Sequence, residues 1–411
     1  MDMEKPDTQP QFCTGTTACS RKEAVHTLSV ATFITELQNL QITGHGYPLY
    51  EPNPAGEYDR VRIGDVGYVD NHGKFHRAFN TFYSADQDIN REGVPEHFTP
   101  VKAAWQKTYF LDRHSPGEMH SSSVSASAAS LDLSLNNLPA GMKFSFSCNQ
   151  QQGASIALSG HADRENARSV AKLSEYMHQN YEHWLPFVRD ILGWDVNLRD
   201  LIFVTGVDIA KAWATVTFSH KENNAEAGFS FNDPTHVAGT AAASFTHSWR
   251  SSTNIAIRFG PNSSTSSGDT ESRNEATCQE KVHSGIGDQC IFLRGYRIIE
   301  RKLLPSKLRA AAQPKNDNAD RDNYATPKVR AVDFGLDNRV DSDSRYDEEI
   351  EVTRSCNIYE DLAELIFKGL SAARLAVVHD DDVTVFLKNP TVWALRSSAR
   401  MMYCHGVPGK L

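Results

Sequence analysis

A chain of 411 residues with 40% hydrophobic and 23% charged side chains is long enough to bury a substantial core. Its formal net charge of −9 argues against a protein that coats nucleic acid, which needs massed Lys and Arg to displace counterions from phosphates. Seven scattered cysteines, odd in number and without a C-x-x-C pair, exclude a disulfide scaffold and a zinc knuckle.

Residues 1–27 mix Pro, Thr, Gln and charge without periodicity and read as a tail, with ordered structure expected from Leu28. The tail carries early acids and no apolar h-region, and no apolar run of spanning length follows, so a cytoplasmic location is expected. Over 61–79, alternating apolar residues flank Asn71-His72-Gly73, which predicts a hairpin, with Gly64 and Gly67 placed to bend or bulge its first strand.

Three amphipathic strands are expected between 124 and 158. Val124, Ala126 and Ala128 alternate with serines and slip into Leu131, Leu133 and Leu135; Phe144, Phe146 and Cys148 follow, then Ile156 and Leu158. Residues 163–192 read as the longest helix, capped by Asp163 and divided at Pro186, with Val170, Leu173, Met177, Tyr181, Trp184, Val188 and Ile191 as its sheet-facing stripe.

Strands are expected at 201–206, 213–218, 229–231, 244–249, 255–259 and 290–299, with a long loop at 260–288. Residues 305–349 read as an acidic flexible linker, and 350–411 as a small β-α-β-β unit docked on the body, with strands at 375–378 and 383–387. The fold class is therefore α+β: an antiparallel β-rich body over 28–304 with one long helix on its sheet, plus the small C-terminal unit.

Several phrases occur together: GHGYPLY at 44–50, RIGDVGYV at 62–69, LIFVTGVDIAKAW at 201–213, SFTHSWRSSTNIAIRFGP at 244–261, QCIFLRGY at 289–296 and ARLAVVHDDD at 373–382. In order and spacing they resemble a large paralogous family of uncharacterised proteins of mushroom-forming (agaricomycete) fungi. The resemblance spans nearly all of the chain from residue 28 outside the long loop and the linker. It implies a shared framework with variable loops and brings no catalytic assignment. This chain departs from the usual phrase at Val207, where Cys is common, and at Ile209, where Lys is common.

Candidate sites are few. His379, Asp380 and Asp382 are candidate metal ligands, because adjacent carboxylates hold Mg²⁺ or Ca²⁺ through oxygen. Successive side chains alternate faces in a strand, so a solvated hairpin turn is the favoured expectation there. Arg294, Arg297, Arg301 and Lys302 form a basic patch suited to an acidic partner, a phosphate-bearing ligand or an anionic membrane, and read first as a solvated strand end. Asp65 and Asp208 lie beside glycines and are expected to hold turns; with Trp213 they are the ligand-binding candidates should a pocket form around them. His178 and His183 are five apart, off a common helix face, so a zinc-protease helix is rejected.

No nucleophile elbow, phosphate loop or dinucleotide fingerprint occurs. The leading expectation is a non-enzymatic recognition or interaction module, without cofactor, whose partner is a protein or a small ligand and not nucleic acid. A membrane-binding or pore-forming protein using strands 124–158 is the second reading, and a hydrolase or transferase with an unfamiliar site around Asp65, Asp208 and the HDDD tetrad is the third.

Overall fold

The structure is a computed structural model that describes residues 16–38, 40, 44–54, 60–127, 141–219, 225–232, 243–250, 255–261, 275–282, 288–301, 357–370 and 372–389. The acidic linker, the leucines of 131–135, Lys302 and the chain beyond 389 lie outside them. All of the described residues belong to one compact unit.

In chain order the elements are α1 (Thr16–Leu37), β1 (Tyr47–Pro48), β2 (Asp65–Val69), β3 (Phe75–Asn80), β4 (Thr108–His114), β5 (Gly117–His120), β6 (Val124–Ser127), β7 (Gly141–Cys148) and β8 (Gln152–Leu158). They continue as β9 (Ala162–Ala167), α2 (Val170–Asn180), β10 (Ile202–Ala210), β11 (Trp213–Ser219), β12 (Ala225–Asn232), β13 (Ala243–Arg250), β14 (Ile255–Gly260), β15 (Glu275–Val282) and β16 (Gln289–Glu300). The last three are α3 (Ile358–Gly369), β17 (Leu375–His379) and α4 (Asp380–Lys388). The architecture is α+β, with antiparallel pairing between all described strand partners.

Among the described residues three sheets result. An eight-stranded sheet runs β1-β16-β10-β2-β3, with β17 beside β16 and β9 joining β4 to β10; the others run β14-β11-β8-β5 and β15-β13-β12-β7-β6. The two smaller sheets share an apolar core in which Phe144 and Phe146 of β7 meet Ala214, Val216 and Phe218 of β11. The apolar face of the alternating strands near 124–158 is thus spent on internal packing, as in any half-buried sheet. No helix among the described residues is long and apolar enough to cross a membrane.

Four expectations are corrected. The first described element is α1, which starts at Thr16, inside the expected tail, and buries Val30, Phe33 and Leu37 against Tyr50 and Ala154. Asp163 lies in strand β9, not at a helix cap; the helix begins at Val170, passes through tighter turns after Asn180 and reaches a π-turn at Phe187–Ile191, directly after Pro186. Leu173, Met177, Trp184 and Val188 of the expected stripe are buried, but Ile191 is 70% exposed. The long loop contains strand β15, paired with β13. Residues 383–387 are helical, within α4, so the described part of the C-terminal segment reads α-β-α, and β17 extends the large sheet by pairing with β16.

Candidate metal centre

The central strands β10 and β16 organise the site. In β10, Thr205 is an extra residue between the pairs Val204–Gly295 and Gly206–Arg294, a bulge that resets the alternation of side chains. Ile202, Val204, Val207 and Ile209 therefore all pack on one apolar cluster. Phe203 points into a different cluster, and Asp208 opens onto the side where Phe292 and Arg294 lie. Asp208 sits directly between Phe292 of β16 and Arg164 of β9 in the sheet.

Asp208 is fully buried, and its two carboxylate oxygens have different partners. Oδ1 accepts a hydrogen bond from Arg294 Nη1 at 2.8 Å, while Oδ2 faces His45 Nδ1 at 3.3 Å and His114 Nε2 at 3.2 Å. These two ring nitrogens and the carboxylate oxygen all lie within 4.8 Å of one another. His45 comes from the segment before β1, His114 from the end of β4, and Asp208 from mid-β10, so three separate segments converge. The side chains are 11%, 20% and 0% exposed respectively, which makes the His114 side the approach from solvent.

Glycines make room for this arrangement. Gly44 and Gly46 flank His45 with φ of +81° and +89°, the left-handed region. A Cβ at Gly46 would come within 2.4 Å of the Leu293 carbonyl oxygen, so this turn accepts only glycine. At Gly206 a Cβ would meet Arg294 Nε at 2.6 Å and Asn166 Oδ1 at 2.2 Å, so the missing side chain is the space the guanidinium occupies.

Arg294 anchors the centre. Besides Asp208 it donates to the His45 carbonyl at 2.8 Å, to Asn166 Oδ1 at 2.8 Å, and to the Val207 and Glu165 carbonyls at 3.1 and 3.2 Å. Burial alone would raise the Asp208 carboxyl, but Arg294, His114 and His45 more than offset it and hold it well below the usual carboxylate range. Burial also lowers His45 from its ordinary value against the pull of Asp208, which favours the neutral imidazole that ligates metals. Arg164 donates through Nη2 to the Gly44 carbonyl, and its Nε lies 3.9 Å from Asp208 Oδ1.

The other sequence candidates lie elsewhere. Asp65 is buried in its own network, accepting from Arg77 Nε at 2.6 Å, Asn80 Nδ2 at 2.7 Å and the Arg62 amide at 2.7 Å, so it holds the entry to the β2–β3 hairpin. Trp213 is buried and donates from Nε1 to Gln289 Oε1 at 3.0 Å. It packs in one apolar cluster with Phe292, whose ring lies tilted against His45 with centroids 5.0 Å apart.

The HDDD tetrad is a helix start, not a hairpin turn. His379 caps α4 by accepting from the Asp381 amide at 3.0 Å, and Asp382 accepts from the His379 amide at 3.1 Å, the reciprocal pattern of a capping box. His379 Nε2 meets Thr205 Oγ1 at 2.7 Å, and Asp380 turns inward to accept from the Gly295 amide at 2.7 Å and the Tyr359 hydroxyl at 2.5 Å. His379, Asp380 and Asp382 thus serve three different attachments instead of one ion.

The basic patch is also not a solvated strand end. Arg294 and Arg297 are buried, the latter between the rings of Tyr47 and Tyr359 at 4.8 and 4.3 Å, and Arg301 bonds the carbonyls of Phe367 and Leu370. Lys302 lies outside the described residues.

Sequence reasoning reached Asp208 and Arg294 but missed His45, His114 and Arg164. The signal for His45 was available: a histidine between two glycines in the phrase GHGYPLY. No local signal marks His114, which is 94 residues from Asp208 and arrives through the β4–β9–β10 pairing. Comparison with protein-family models, with curated proteins and with solved structures returns no match.

Proposed function

We propose that this protein is a metal-bearing recognition module in which His45, His114 and Asp208 hold a divalent transition metal. The observation that carries this reading is the spacing of the two ring nitrogens from the Asp208 carboxylate oxygen. Zinc–nitrogen bonds of about 2.0–2.1 Å in tetrahedral geometry put neighbouring ligand atoms roughly 3.3–3.4 Å apart, and six-coordinate cis ligands sit slightly closer. The two nitrogen-to-oxygen separations are 3.3 and 3.2 Å. Charge-assisted hydrogen bonds to a carboxylate are normally shorter, about 2.7–2.9 Å. A purely structural network needs one counter-ion for Asp208, and Arg294 supplies it at 2.8 Å through the other oxygen. Two imidazoles on the remaining oxygen match a donor set of two nitrogens and one oxygen, the combination that suits zinc, iron, cobalt or nickel.

The test uses the full chain without a histidine tag, stripped with chelator and titrated with Co²⁺. Tetrahedral or five-coordinate cobalt has visible d–d bands that report protein ligation directly. The expected result is saturable one-to-one binding that weakens by at least about tenfold in His45→Ala, His114→Ala and Asp208→Asn, since loss of an outer partner alone costs that much. Absence of saturable binding at micromolar protein, or binding indifferent to all three substitutions, would refute the proposal.

A further inference from the structure

We infer that the metal centre takes a small carboxylate as its ligand, held between the metal and the Arg164 guanidinium. This rests on the metal reading above and adds the chemical class of what the module recognises.

The first ground is charge. Arg164 and Arg294 bring two positive charges to one carboxylate, Asp208, in side chains only 12%, 3% and 0% exposed. The imidazoles are neutral when they ligate, so a divalent ion leaves an excess of three positive charges in a largely desolvated place. Such an excess is costly unless an anion enters with the metal. The other acid whose charge acts on Arg164 is Asp381, and it is 61% exposed, where water screens it.

The second ground is an unsatisfied donor. Arg164 Nε is buried and has no hydrogen-bond partner among the described residues, since Asp208 Oδ1 at 3.9 Å is beyond bonding reach. Its neighbour Arg294 makes five hydrogen bonds.

The third ground is valence. Three protein ligands leave at least one position open on the metal. Arg164 Nε, the unpartnered donor, lies beside the same carboxylate, 3.9 Å from Asp208 Oδ1. A small carboxylate offers two coplanar oxygens, one for the metal and one for the planar guanidinium.

The experiment titrates oxalate, acetate and inorganic phosphate into the cobalt-loaded full chain. It follows the d–d bands, with equilibrium dialysis to account for bound cobalt, in wild type, Arg164→Gln and Arg164→Lys. Oxalate is expected to shift the spectrum saturably without removing cobalt, to bind about tenfold or more tighter to wild type than to Arg164→Gln, and to tighten cobalt binding by the factor by which cobalt tightens oxalate binding. Should Arg164→Gln lose its native circular dichroism, Arg164→Lys gives the comparison: it keeps the charge without the fork and binds oxalate more weakly than wild type. Normal cobalt loading with no oxalate response, or equal oxalate affinity in wild type and the folded Arg164 variants, overturns this inference and leaves the metal reading standing. A stronger response to phosphate than to oxalate overturns the carboxylate class. Failure of cobalt to load in wild type overturns the metal reading and this inference with it.

Discussion

Arg294 is the residue on which the stability of the buried Asp208 site depends. Its guanidinium makes five hydrogen bonds, to Asp208, Asn166 and the carbonyls of His45, Val207 and Glu165. Lysine keeps the charge but has three N–H groups, so at least two acceptors lose their donor. At roughly 0.5–1.5 kcal/mol each, Arg294→Lys should cost about 1–3 kcal/mol. Arg294→Met should cost about 3–5 kcal/mol, because it leaves the fully buried Asp208 carboxylate without its counter-ion. Adding Asp208→Asn to Arg294→Met removes that stranded charge, so the double variant should be at least about 2 kcal/mol more stable than the sum of the singles implies. Urea unfolding of the metal-free chain at neutral pH, followed by tryptophan fluorescence, gives all four corners of the cycle. Arg294→Lys within about 0.5 kcal/mol of wild type, or a coupling near zero, would show that the guanidinium does not hold Asp208 as described.

Three further outcomes follow from particular contacts. Gly46→Ala forces a Cβ to 2.4 Å from the Leu293 carbonyl in a residue with φ of +89°, so thermal unfolding should show a loss above about 1–2 kcal/mol, and cobalt affinity should fall as His45 is displaced. Burial raises the Asp380 carboxyl above 3.8, so the folded state keeps a proton that the unfolded chain releases. Its contribution to stability is full below 3.8 and declines as pH climbs through the raised value; a stability–pH curve for Asp380→Asn should lack that decline, and an unchanged curve would contradict the burial argument. Val207→Cys should leave the cobalt spectrum unaltered, and the appearance of a sulfur-to-cobalt charge-transfer band would show that this side chain reaches the metal.

Strands with one buried face were legible because their apolar residues alternate. The β2–β3 hairpin and β11 match the expected segments closely, and the bulge between Val66 and Gly67 falls at one of the two glycines expected to allow it. Strand β9 was not legible. Its sequence ADRENA favours turns and helix caps, and it is extended because β4 and β10 bond it on both sides. Helix α4 misled in the opposite sense: VTVFL has β-branched character, but the capping box at His379 and Asp382 and the inward Val383 make it helical. The same physics hid half of the site. Arg164 lies on β9 and His114 on β4, so both were out of reach once 163–192 was read as one helix.

The bulge in β10 explains why Val207 and Ile209 stand apart from the centre although they flank Asp208 in sequence. In an unbroken strand, side chains two apart share a face, so Asp208 would lie with Ile202 and Val204 in the apolar cluster that contains Leu49, Val61 and Leu293. A carboxylate there would have no charged partner. The extra residue at Thr205 shifts the phase, and Val207 and Ile209 take the apolar places while Asp208 faces Arg294 and the two histidines. Thr205 itself is not idle, because its hydroxyl meets His379 Nε2 at 2.7 Å and so ties the start of α4 to the bulge. Four of the six sequence phrases therefore meet within one stretch of β10 and β16: His45 from the first, Thr205 and Asp208 from the third, Arg294 from the fifth and His379 from the last. Cysteine or lysine at 207 or 209 changes the apolar face behind the strand, and the ligand set in front of it stays the same.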